Sequence, residues 1–377
     1  MITLGFPRMH KEKNEKRDFL PDFFRRLNSE NAEFFLENGY GSAMGICHEE
    51  YLKANKNIKF ISNRECYEKD MVVVLRCPEF NEINSMKDGS TLLSMLHYPT
   101  RATRVQRLKE KNIFGVSMDS LRNDFLERIV VNYNGTSGNG VEMAFQELSK
   151  TMKDFYSKDR DTIKVTIIGM GMVGLYAAKA AGKYGNLELN NKMKELNTKG
   201  VIVNMLPRSV TNDREELIKI LKETDILIDA STRDNPSNYI ISNDLISYLK
   251  PHGVILDLTA DPYLTDIEPM QVKAIEGIPT GTLDKPVIYP NDPIYNTIPE
   301  QVNKDNRRVV VSCNAWPGIK SEECMYLYGM QLFPILQQLI RLSRENFTEV
   351  SDDYFTRAIH RATIEYFEKY EKIVENN

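Results

Sequence analysis

Short apolar runs alternate with segments of helical periodicity along residues 1–135. Apolar runs of strand length lie at Ile2–Phe6, Met71–Leu75, Thr91–Leu96 and Phe114–Met118. Asp22–Asn38 carries apolar side chains at helical spacing and predicts a helix, and Arg104–Lys111 predicts another. Strands alternating with helices are typical of a parallel sheet wrapped by helices, so this part of the chain predicts an α/β domain.

The alternation resumes after residue 160, where strands are expected at 163–168, 200–205, 225–229, 253–258 and 308–313. Between the two patterns, Gly135–Gly140 predicts a flexible, turn-rich segment, and Val141–Tyr156 predicts a helix that links the domains. Glu323–Arg344 is amphipathic but interrupted by Pro334, and we expect it to pack on the first domain. Asp352–Glu375 predicts a charged surface helix. Together these patterns predict two Rossmann-like, doubly wound α/β domains with the active site in the cleft between them.

Composition and charge narrow the possible partners. The 377 residues are 41% hydrophobic and 27% charged, with a net charge of -4, which argues against a nucleic-acid groove. No apolar run is long enough to cross a membrane and no signal segment is apparent, so we expect a cytoplasmic protein. The five cysteines and five histidines form no metal-like cluster, and we expect no metal site.

The segment Gly169-Met170-Gly171-Met172-Val173-Gly174 joins a β-branched strand to an alanine-rich helix. In that context Gly169 makes the tight turn, Gly171 lets the backbone approach a pyrophosphate, and Gly174 lets helix and strand pack closely. Met172 and Val173 open the helix, whose N-terminus faces the anion. The competing interpretation is a glycine-containing turn without a ligand. We interpret the segment as a dinucleotide fingerprint, which makes 141–319 the dinucleotide-binding domain.

The cofactor is therefore expected to be NAD(H) or NADP(H). The acidic residue that usually ends the second strand is missing, and the chain reads Leu206-Pro207-Arg208 instead. Arg208 is suited to a 2′-phosphate, which favours NADP(H). The alternative, that Arg208 is an ordinary exposed loop residue, stays open. Asn186–Lys199 also lengthens the usual spacing and leaves the register of this strand open.

Motifs outside the fingerprint resemble a known family. They are Pro7–Arg17, Asn38–Gly41 with Glu49–Tyr51, Leu75-Arg76-Cys77-Pro78, Leu93–Pro99, Asp257–Asp261 and Asn314–Gly318. In this order they resemble the alanine dehydrogenase / pyridine nucleotide transhydrogenase superfamily. That superfamily also includes lysine-forming saccharopine dehydrogenase and N(5)-(carboxyethyl)ornithine synthase. The resemblance covers nearly the whole chain and makes residues 1–140 plus 320–377 the substrate, or catalytic, domain.

The resemblance implies roles for four residues. Arg17 matches an arginine that grips the substrate carboxylate, and Arg76 stands where alanine dehydrogenases have a substrate-binding lysine. His97 matches the general acid/base, and Asp261 matches the acidic residue beside nicotinamide and substrate. The chemistry agrees, because hydride transfer at a C–N bond needs a group that moves a proton near neutral pH. Each has an ordinary alternative: core histidine for His97, surface charge for the arginines, and a strand end for Asp261.

Departures from the family pattern leave the substrate open. Arg76-Cys77-Pro78 replaces a lysine-glutamate-proline triplet, and Met118-Asp119-Ser120 replaces a tyrosine-glutamate-threonine triplet. We expect an NAD(P)-dependent oxidoreductase that converts an amino acid to its 2-oxo acid. The alternatives are opine-type condensation of an amino acid with a 2-oxo acid, and a dinucleotide-sensing protein without catalysis. The small-molecule partner is an amino acid or 2-oxo acid, and we expect a homo-oligomer.

Overall fold

A computed structural model describes residues 1–10, 15–233 and 235–371. The strands are β1 (Ile2–Phe6), β2 (Ala32–Glu37), β3 (Ile58–Ile61), β4 (Met71–Arg76), β5 (Thr91–Met95), β6 (Phe114–Ser117), β7 (Ile163–Ile168), β8 (Val201–Leu206), β9 (Ile226–Asp229), β10 (Val254–Asp257), β11 (Val287–Ile288) and β12 (Val309–Ser312). The helices up to the fingerprint are α1 (Pro21–Arg26), α2 (His48–Ala54), α3 (Asn63–Tyr67), α4 (Phe80–Ser85), α5 (Ala102–Glu110), α6 (Asn139–Thr151) and α7 (Met172–Ala181). They are followed by α8 (Leu187–Glu195), α9 (Arg208–Thr211), α10 (Arg214–Glu223), α11 (Asn243–Ile246), α12 (Ser321–Arg341), α13 (Tyr354–Arg361) and α14 (Ile364–Tyr366).

The chain forms two compact units. The first comprises Met1–Asn132 and the chain from Ser321 onward, and the second comprises Tyr133–Lys320. Each unit is built on one six-stranded sheet with flanking helices, so the predicted pair of Rossmann-like α/β units is confirmed. Which unit holds the substrate and which the dinucleotide stays a prediction.

The first sheet is parallel, with the order β3-β2-β1-β4-β5-β6. Its central strand β4 is buried from Met71 to Leu75, as expected when helices cover both faces of a parallel sheet. The order reverses at β1, which pairs with β2 on one side and β4 on the other. In open α/β sheets, ligands bind at such a switch point, outside the carboxyl ends of the strands.

The second sheet has the order β8-β7-β9-β10-β12-β11, and only β11 is antiparallel. Successive strand residues face two separate apolar cores: Ile167 belongs to one and Ile168 to the other. The switch point is β7, which pairs with both β8 and β9. The fingerprint follows β7 directly, so the predicted cofactor loop lies at the place where this topology favours a ligand.

The helix predicted over Asp22–Asn38 is wrong in its second half. The helix is only Pro21–Arg26, and Ala32–Glu37 is strand β2. Ala32, Phe34 and Leu36 are fully buried at every second position, which is strand periodicity. Phe23 and Phe24 in the helix and Phe34 and Phe35 in the strand happen to lie at helical spacing from one another. For that reason the change from helical to strand periodicity between them was not recognised.

Three further expectations need correction. The segment Gly135–Gly140, predicted to be flexible, is helical: a π-helical turn at Asn134–Gly138 leads into α6. Helix α12 continues through Pro334 without interruption. The predicted surface helix Asp352–Glu375 is instead α13, whose Ile359 is fully buried, followed by a bridge from Thr363 to Val116 and then α14.

Two predicted segments lie partly outside the described residues: positions 372–375 of the C-terminal helix, and Lys11–Asn14 of the N-terminal motif. Within the described part of the chain, no helix combines the length and the apolar character needed to span a membrane.

Candidate active site

The turn after β7 requires glycine at its first position. Gly169 has a φ of 102°, and a Cβ atom there would lie 2.4 Å from the carbonyl oxygen of Ala230. Gly174 is equally constrained, because its Cβ would lie 2.4 Å from the carbonyl oxygen of Gly169. These two glycines therefore let β7, the loop after β9 and helix α7 pack closely against one another.

Gly171 has a different reason to be glycine. Its backbone is extended, with φ of -76° and ψ of -177°, and nothing lies within 4 Å of a Cβ built there. Met172 begins α7 and is largely exposed, whereas Val173 packs against the core. The N-terminus of α7 thus adjoins open space in which an anion can meet backbone N–H groups, so this turn fits the pyrophosphate of a dinucleotide.

Arg208 lies at the same edge of the sheet. It follows β8 through Pro207, is exposed, and its Nη2 donates a hydrogen bond to the carbonyl oxygen of Thr232, 3.3 Å away. β8 and β9 flank β7, so this side chain spans the carboxyl ends of the strands on both sides of the glycine turn. That position suits a contact with the far end of a dinucleotide, and the choice between NAD and NADP stays open.

The loop after β10 presents Asp261. Asp257 Oδ1 accepts hydrogen bonds from the backbone N–H groups of Thr259 and Ala260, at 3.1 and 2.7 Å, and Ala260 has a φ of 51°. The Asp261 carboxylate is 38% exposed, and its Oδ2 lies 2.7 Å from Nη2 of Arg233. The turn thus holds Asp261 at the sheet edge with one oxygen already paired.

Arg233 is the cation that orients Asp261. Its guanidinium is buried and also donates hydrogen bonds to the carbonyl oxygens of Pro236, Asn238 and Val272. Sequence reasoning missed it, because a single arginine in the polar run Ser231–Ser237 has nothing to set it apart.

In the first unit, the structure places Arg17 in an ion pair. Nε and Nη2 of Arg17 donate to the two carboxylate oxygens of Glu15, at 2.7 and 2.5 Å, and both side chains are buried. Burial acts to raise the pKa of Glu15, but the hydrogen bonds and charge of Arg17 and the charge of Arg76 hold it below its ordinary value. Arg17, Glu15 and Arg76 therefore form one electrostatic cluster at the switch point between β1 and β4.

His97 lies at the end of the next strand. In the register of β4 and β5, Arg76 is opposite Met95, two residues before His97. The imidazole is 54% exposed, and its Nδ1 is 3.2 Å from Oδ2 of Asp119, which is mostly buried. A carboxylate on Nδ1 favours the tautomer that carries its proton there, which makes Nε2 the acceptor nitrogen of the neutral ring.

The surroundings of Asp119 stabilise its ionised form. Burial would raise its pKa, but hydrogen bonds from His97 and Ser117 and the charges of His97 and Arg128 lower it to about 2. Its Oδ1 accepts a hydrogen bond from the Ser117 hydroxyl at 2.7 Å. The orienting carboxylate therefore keeps its charge across the physiological pH range.

Three functional candidates in the first unit were missed from the sequence: Glu15, Asp119 as a partner of His97, and Arg128. The Nε of Arg128 is buried without a hydrogen-bond partner among the described residues, and its charge acts on both Asp119 and Tyr328. Glu15 and Arg17 are two residues apart in the chain, but their burial and their pairing are visible only in the folded structure. The distance from Asp119 to His97 depends on the pairing of β5 with β6.

Each predicted residue thus lies at a carboxyl edge of its own sheet. Arg76 ends β4 and His97 follows the neighbouring strand β5, while Arg17 joins Arg76 through Glu15. In the second unit the fingerprint follows β7, Arg208 follows its neighbour β8, and Asp261 follows β10, with β9 between β7 and β10. Two Rossmann-like units, one of which carries a glycine turn that fits a pyrophosphate, are typical of dinucleotide-dependent enzymes.

Comparison with known proteins identifies the family to which the chain belongs. The family models described as Alanine dehydrogenase/PNT, N-terminal domain and Alanine dehydrogenase/PNT, C-terminal domain match residues 6–129 and 157–274. The chain belongs to the alanine dehydrogenase/PNT family. It is therefore an oxidoreductase of a family that uses nicotinamide dinucleotides.

Individual relatives are distant. The chain is 22% identical to alanine dehydrogenase of Bacillus subtilis over 272 residues, covering 69% of this chain and 71% of that one. It is 24% identical to N(5)-(carboxyethyl)ornithine synthase of Clostridium botulinum over 308 residues, covering 78% and 84%. A solved L-alanine dehydrogenase aligns with a TM-score of 0.67 and 17% identity, covering 96% of this chain and 94% of that chain. The last likeness carries the fold only.

Proposed function

We propose that this protein transfers hydride at the C–N bond of an amino acid, converting it to a 2-oxo acid in the manner of alanine dehydrogenase. The observation that carries the proposal is the pair formed by His97 and Asp119, located one strand away from the cluster of Arg17, Glu15 and Arg76. An acid/base group next to carboxylate-binding cations is what proton removal from a substrate amine requires.

Each side chain has a defined task in this proposal. Nε2 of His97 takes up or returns the proton that accompanies oxidation of the amine, while Asp119 holds Nδ1 and stabilises the imidazolium. Asp261, fixed by Arg233, places a carboxylate that favours a positively charged amine or iminium. A bound nicotinamide dinucleotide would supply the hydride acceptor, and water would hydrolyse the resulting substrate iminium to the 2-oxo acid with release of ammonium.

Arg17 and Arg76 divide the binding of the substrate carboxylate. Arg17 is buried and two of its nitrogens bind Glu15, so we assign it a supporting positive charge; Arg76 is only half-buried, and we assign the direct contact to it. A substrate carboxylate that displaced Glu15 would have to replace two charge-assisted hydrogen bonds. Arg76→Ala is therefore expected to raise the KM of the amino acid more than it lowers kcat.

Opine-type condensation is the second candidate, and Arg128 favours it. Arg128 is half-buried and adds a third guanidinium to the first unit, whose positive charge acts on Asp119 and could pair with a second carboxylate. A reaction that joins an amino acid to a 2-oxo acid presents two carboxylates at once. The Clostridium botulinum relative carries the name of such an enzyme.

One assay separates these functions. The purified protein is followed by nicotinamide absorbance with NAD⁺ or NADP⁺ and a panel of amino acids, and in reverse with reduced cofactor and 2-oxo acids. Oxidation of a single amino acid, and reduction of a 2-oxo acid with ammonia alone, support deamination. Reduction that requires a second amino acid supports condensation. Dinucleotide binding without turnover under any condition would contradict both and support the sensing protein.

We also propose a preference for NADP(H). The end of β8 offers no carboxylate to a ribose hydroxyl, and Arg208 extends along this edge towards Thr232. A charge-assisted contact with a 2′-phosphate contributes roughly 1.5–3 kcal/mol. Arg208→Ala is therefore expected to weaken NADPH binding about tenfold or more and to leave NADH binding nearly unchanged. Equal affinities of the unaltered protein for both cofactors would contradict the proposal.

A further inference from the structure

Two carboxylates are buried side by side in the second unit. Asp229 ends β9 and Asp257 ends β10, and the two residues are opposite each other in the strand register. Ser312, at the end of β12, is opposite Asp257 on its other side. All three are at most 1% exposed, as is Lys273, whose ammonium lies 2.8 Å from Asp257 Oδ2.

The polar atoms around Asp257 satisfy an ionised carboxylate. Its Oδ2 accepts hydrogen bonds from Lys273 and the Ser312 hydroxyl, and its Oδ1 accepts them from the backbone of Thr259 and Ala260. The carboxyl group of Asp229 accepts fewer hydrogen bonds than that of Asp257. Its Oδ1 accepts hydrogen bonds from the backbone N–H and hydroxyl of Ser231, at 3.0 and 2.7 Å.

One hydroxyl lies between the two carboxyl groups. Oγ1 of Thr259 is 3.2 Å from Oδ2 of Asp229 and 3.1 Å from Oδ1 of Asp257. A threonine hydroxyl has a single proton, so it can donate to only one of them. Both contacts are favourable only when Asp229 carries a proton, which it donates to Thr259 while Thr259 donates to Asp257.

We infer that Asp229 is a proton-binding positioning residue whose protonation state is linked to binding of the dinucleotide. In the protonated state, Asp229, Thr259 and Asp257 form a continuous chain of hydrogen bonds that joins the loop after β9 to the loop after β10. Ionisation breaks that chain and places two negative charges at opposed positions of neighbouring strands, which repel each other.

The surrounding charges favour the protonated form. Burial raises the pKa of Asp229 to about 6, and the charges of Asp257 and Asp261 act in the same direction. The neighbouring cations form ion pairs with other carboxylates: Lys273 is paired with Asp257, and Arg233 is paired with Asp261. Arg208 makes its contact with the carbonyl oxygen of Thr232, further along the loop after β9.

Both loops belong to the proposed cofactor site, so the inference rests on the proposed function. Ala230 and Ser231 are the residues that a Cβ at Gly169 would strike, which shows that the loop held by Asp229 packs directly against the glycine turn. The loop after β10 carries Asp261. Ionisation of Asp229 loosens this packing and adds a negative charge near the place of the diphosphate, so dinucleotide affinity falls as pH rises through the ionisation.

The test measures the dissociation constants of NAD⁺ and NADP⁺ against pH, by calorimetry, in the full chain. The unaltered protein is expected to bind about fivefold or more weakly at about pH 8 than at about pH 5.5. Asp229→Asn keeps an acceptor for Ser231 and a donor for Thr259, and it is expected to abolish that dependence. Asp18→Asn is the matched control, because Asp18 is a second buried aspartate with a pKa raised to about 6, located in the first unit. It should leave the dependence intact.

Proton uptake provides a second measurement. Titrations at about pH 7 in two buffers with different heats of protonation should show that dinucleotide binding takes up a fraction of a proton. This proton uptake should be lost in Asp229→Asn and should remain in Asp18→Asn. If Asp229→Asn does not fold, Thr259→Val should reduce the uptake, because it removes the acceptor for the Asp229 proton. Binding that is independent of pH, or uptake that survives in Asp229→Asn, would overturn the inference. Absence of binding at every pH would instead refute the proposed function.

Discussion

His97 adopts a backbone conformation that is uncommon for histidine, with φ of 48° and ψ of 54°. Residues other than glycine in the left-handed region cost free energy, and such residues cluster where function fixes the geometry. The Tyr98 side chain, fully buried, donates a hydrogen bond to the carbonyl oxygen of Gly115 and holds the chain immediately after His97. With Asp119 on Nδ1, the imidazole is oriented from two sides before any substrate binds.

The orienting carboxylate provides the first prediction. Asp119→Asn should lower kcat roughly 10- to 100-fold with little change in KM, because an amide can donate to Nδ1 and favour the wrong tautomer. His97→Ala should lower kcat by about 10²–10⁴-fold and leave dinucleotide binding intact. Single-turnover hydride transfer with saturating cofactor checks both, with Asp22→Asn as a surface control. An Asp119→Asn rate equal to that of the unaltered protein would show that His97 acts without this partner.

Asp18 provides a prediction about stability. Burial raises its pKa to about 6 despite a hydrogen bond from the backbone N–H of Gly41 and the charge of Arg8. A raised carboxyl pKa means that the folded state keeps a proton which the unfolded chain releases, so its contribution to stability is lost as pH rises from about 4 to about 6. Relative to the unaltered protein, Asp18→Asn should therefore gain about 3 kcal/mol in free energy of unfolding over that range. Urea unfolding at several pH values measures it, and parallel pH curves for the two proteins would contradict it.

The site residues fall into three groups: those predictable from a local motif, those identified only by resemblance to a family, and those that the sequence did not identify. Gly169, Gly171 and Gly174 were predictable, because the spacing, the strand before them and the helix after them are all local. Arg17, Arg76, His97 and Asp261 were identified only through a family resemblance. Glu15, Asp119 and Arg233 were not identified, because each acts through a partner that the fold brings near, and a single chain does not display such pairs.

At the scale of elements, the glycines of the turn after β7 are required for two different reasons: some for packing of the fold, and one for the approach of a ligand. Gly174 faces the carbonyl oxygen of Gly169, whereas Gly171 faces open space. Gly171→Val should therefore fold normally and bind dinucleotide more than about tenfold more weakly, because the branched side chain fills the approach of the pyrophosphate. Gly174→Val should lose roughly 1–3 kcal/mol of stability through overpacking. Thermal unfolding and dinucleotide titration of both variants check this, and an unchanged affinity of Gly171→Val would make the fingerprint a purely structural turn.

Element prediction succeeded where the period was unambiguous. The strand expected at 163–168 is β7 with the same bounds, and the four strands expected after it are present within one residue at either end. Errors arose where tertiary contacts decide: β2 was merged into a helix, and β3 was not anticipated because Ile58–Ile61 is only four residues long. Gly135–Gly140 is helical although its composition favours turns, since Gly140 packs tightly against Leu256, Leu258 and Trp316, where a side chain would not fit.

At the scale of the whole molecule, the two units differ in continuity. The second is formed by one uninterrupted segment, whereas the first needs helix α12, whose Met325, Leu332 and Leu336 are fully buried in its core. A chain limited to residues 133–320 should therefore fold cooperatively and bind dinucleotide. A chain limited to residues 1–132 should not fold, because the apolar surface around Phe23 is left uncovered. Circular dichroism and thermal unfolding test both, and a cooperatively folded 1–132 fragment would refute the argument.

The late position of α12 has a consequence for synthesis on the ribosome. All six strands of the first sheet are encoded before residue 118, yet the helix that covers part of its core ends only at Arg341. At about 5–20 residues per second, the roughly 200 residues between them take on the order of 10–40 s to emerge. During that interval the second unit can already fold, while the first waits with apolar surface open to water. The nascent chain is thus a natural client for chaperones that shield such surfaces, and slow elongation through residues 133–320 would lengthen its exposure to aggregation.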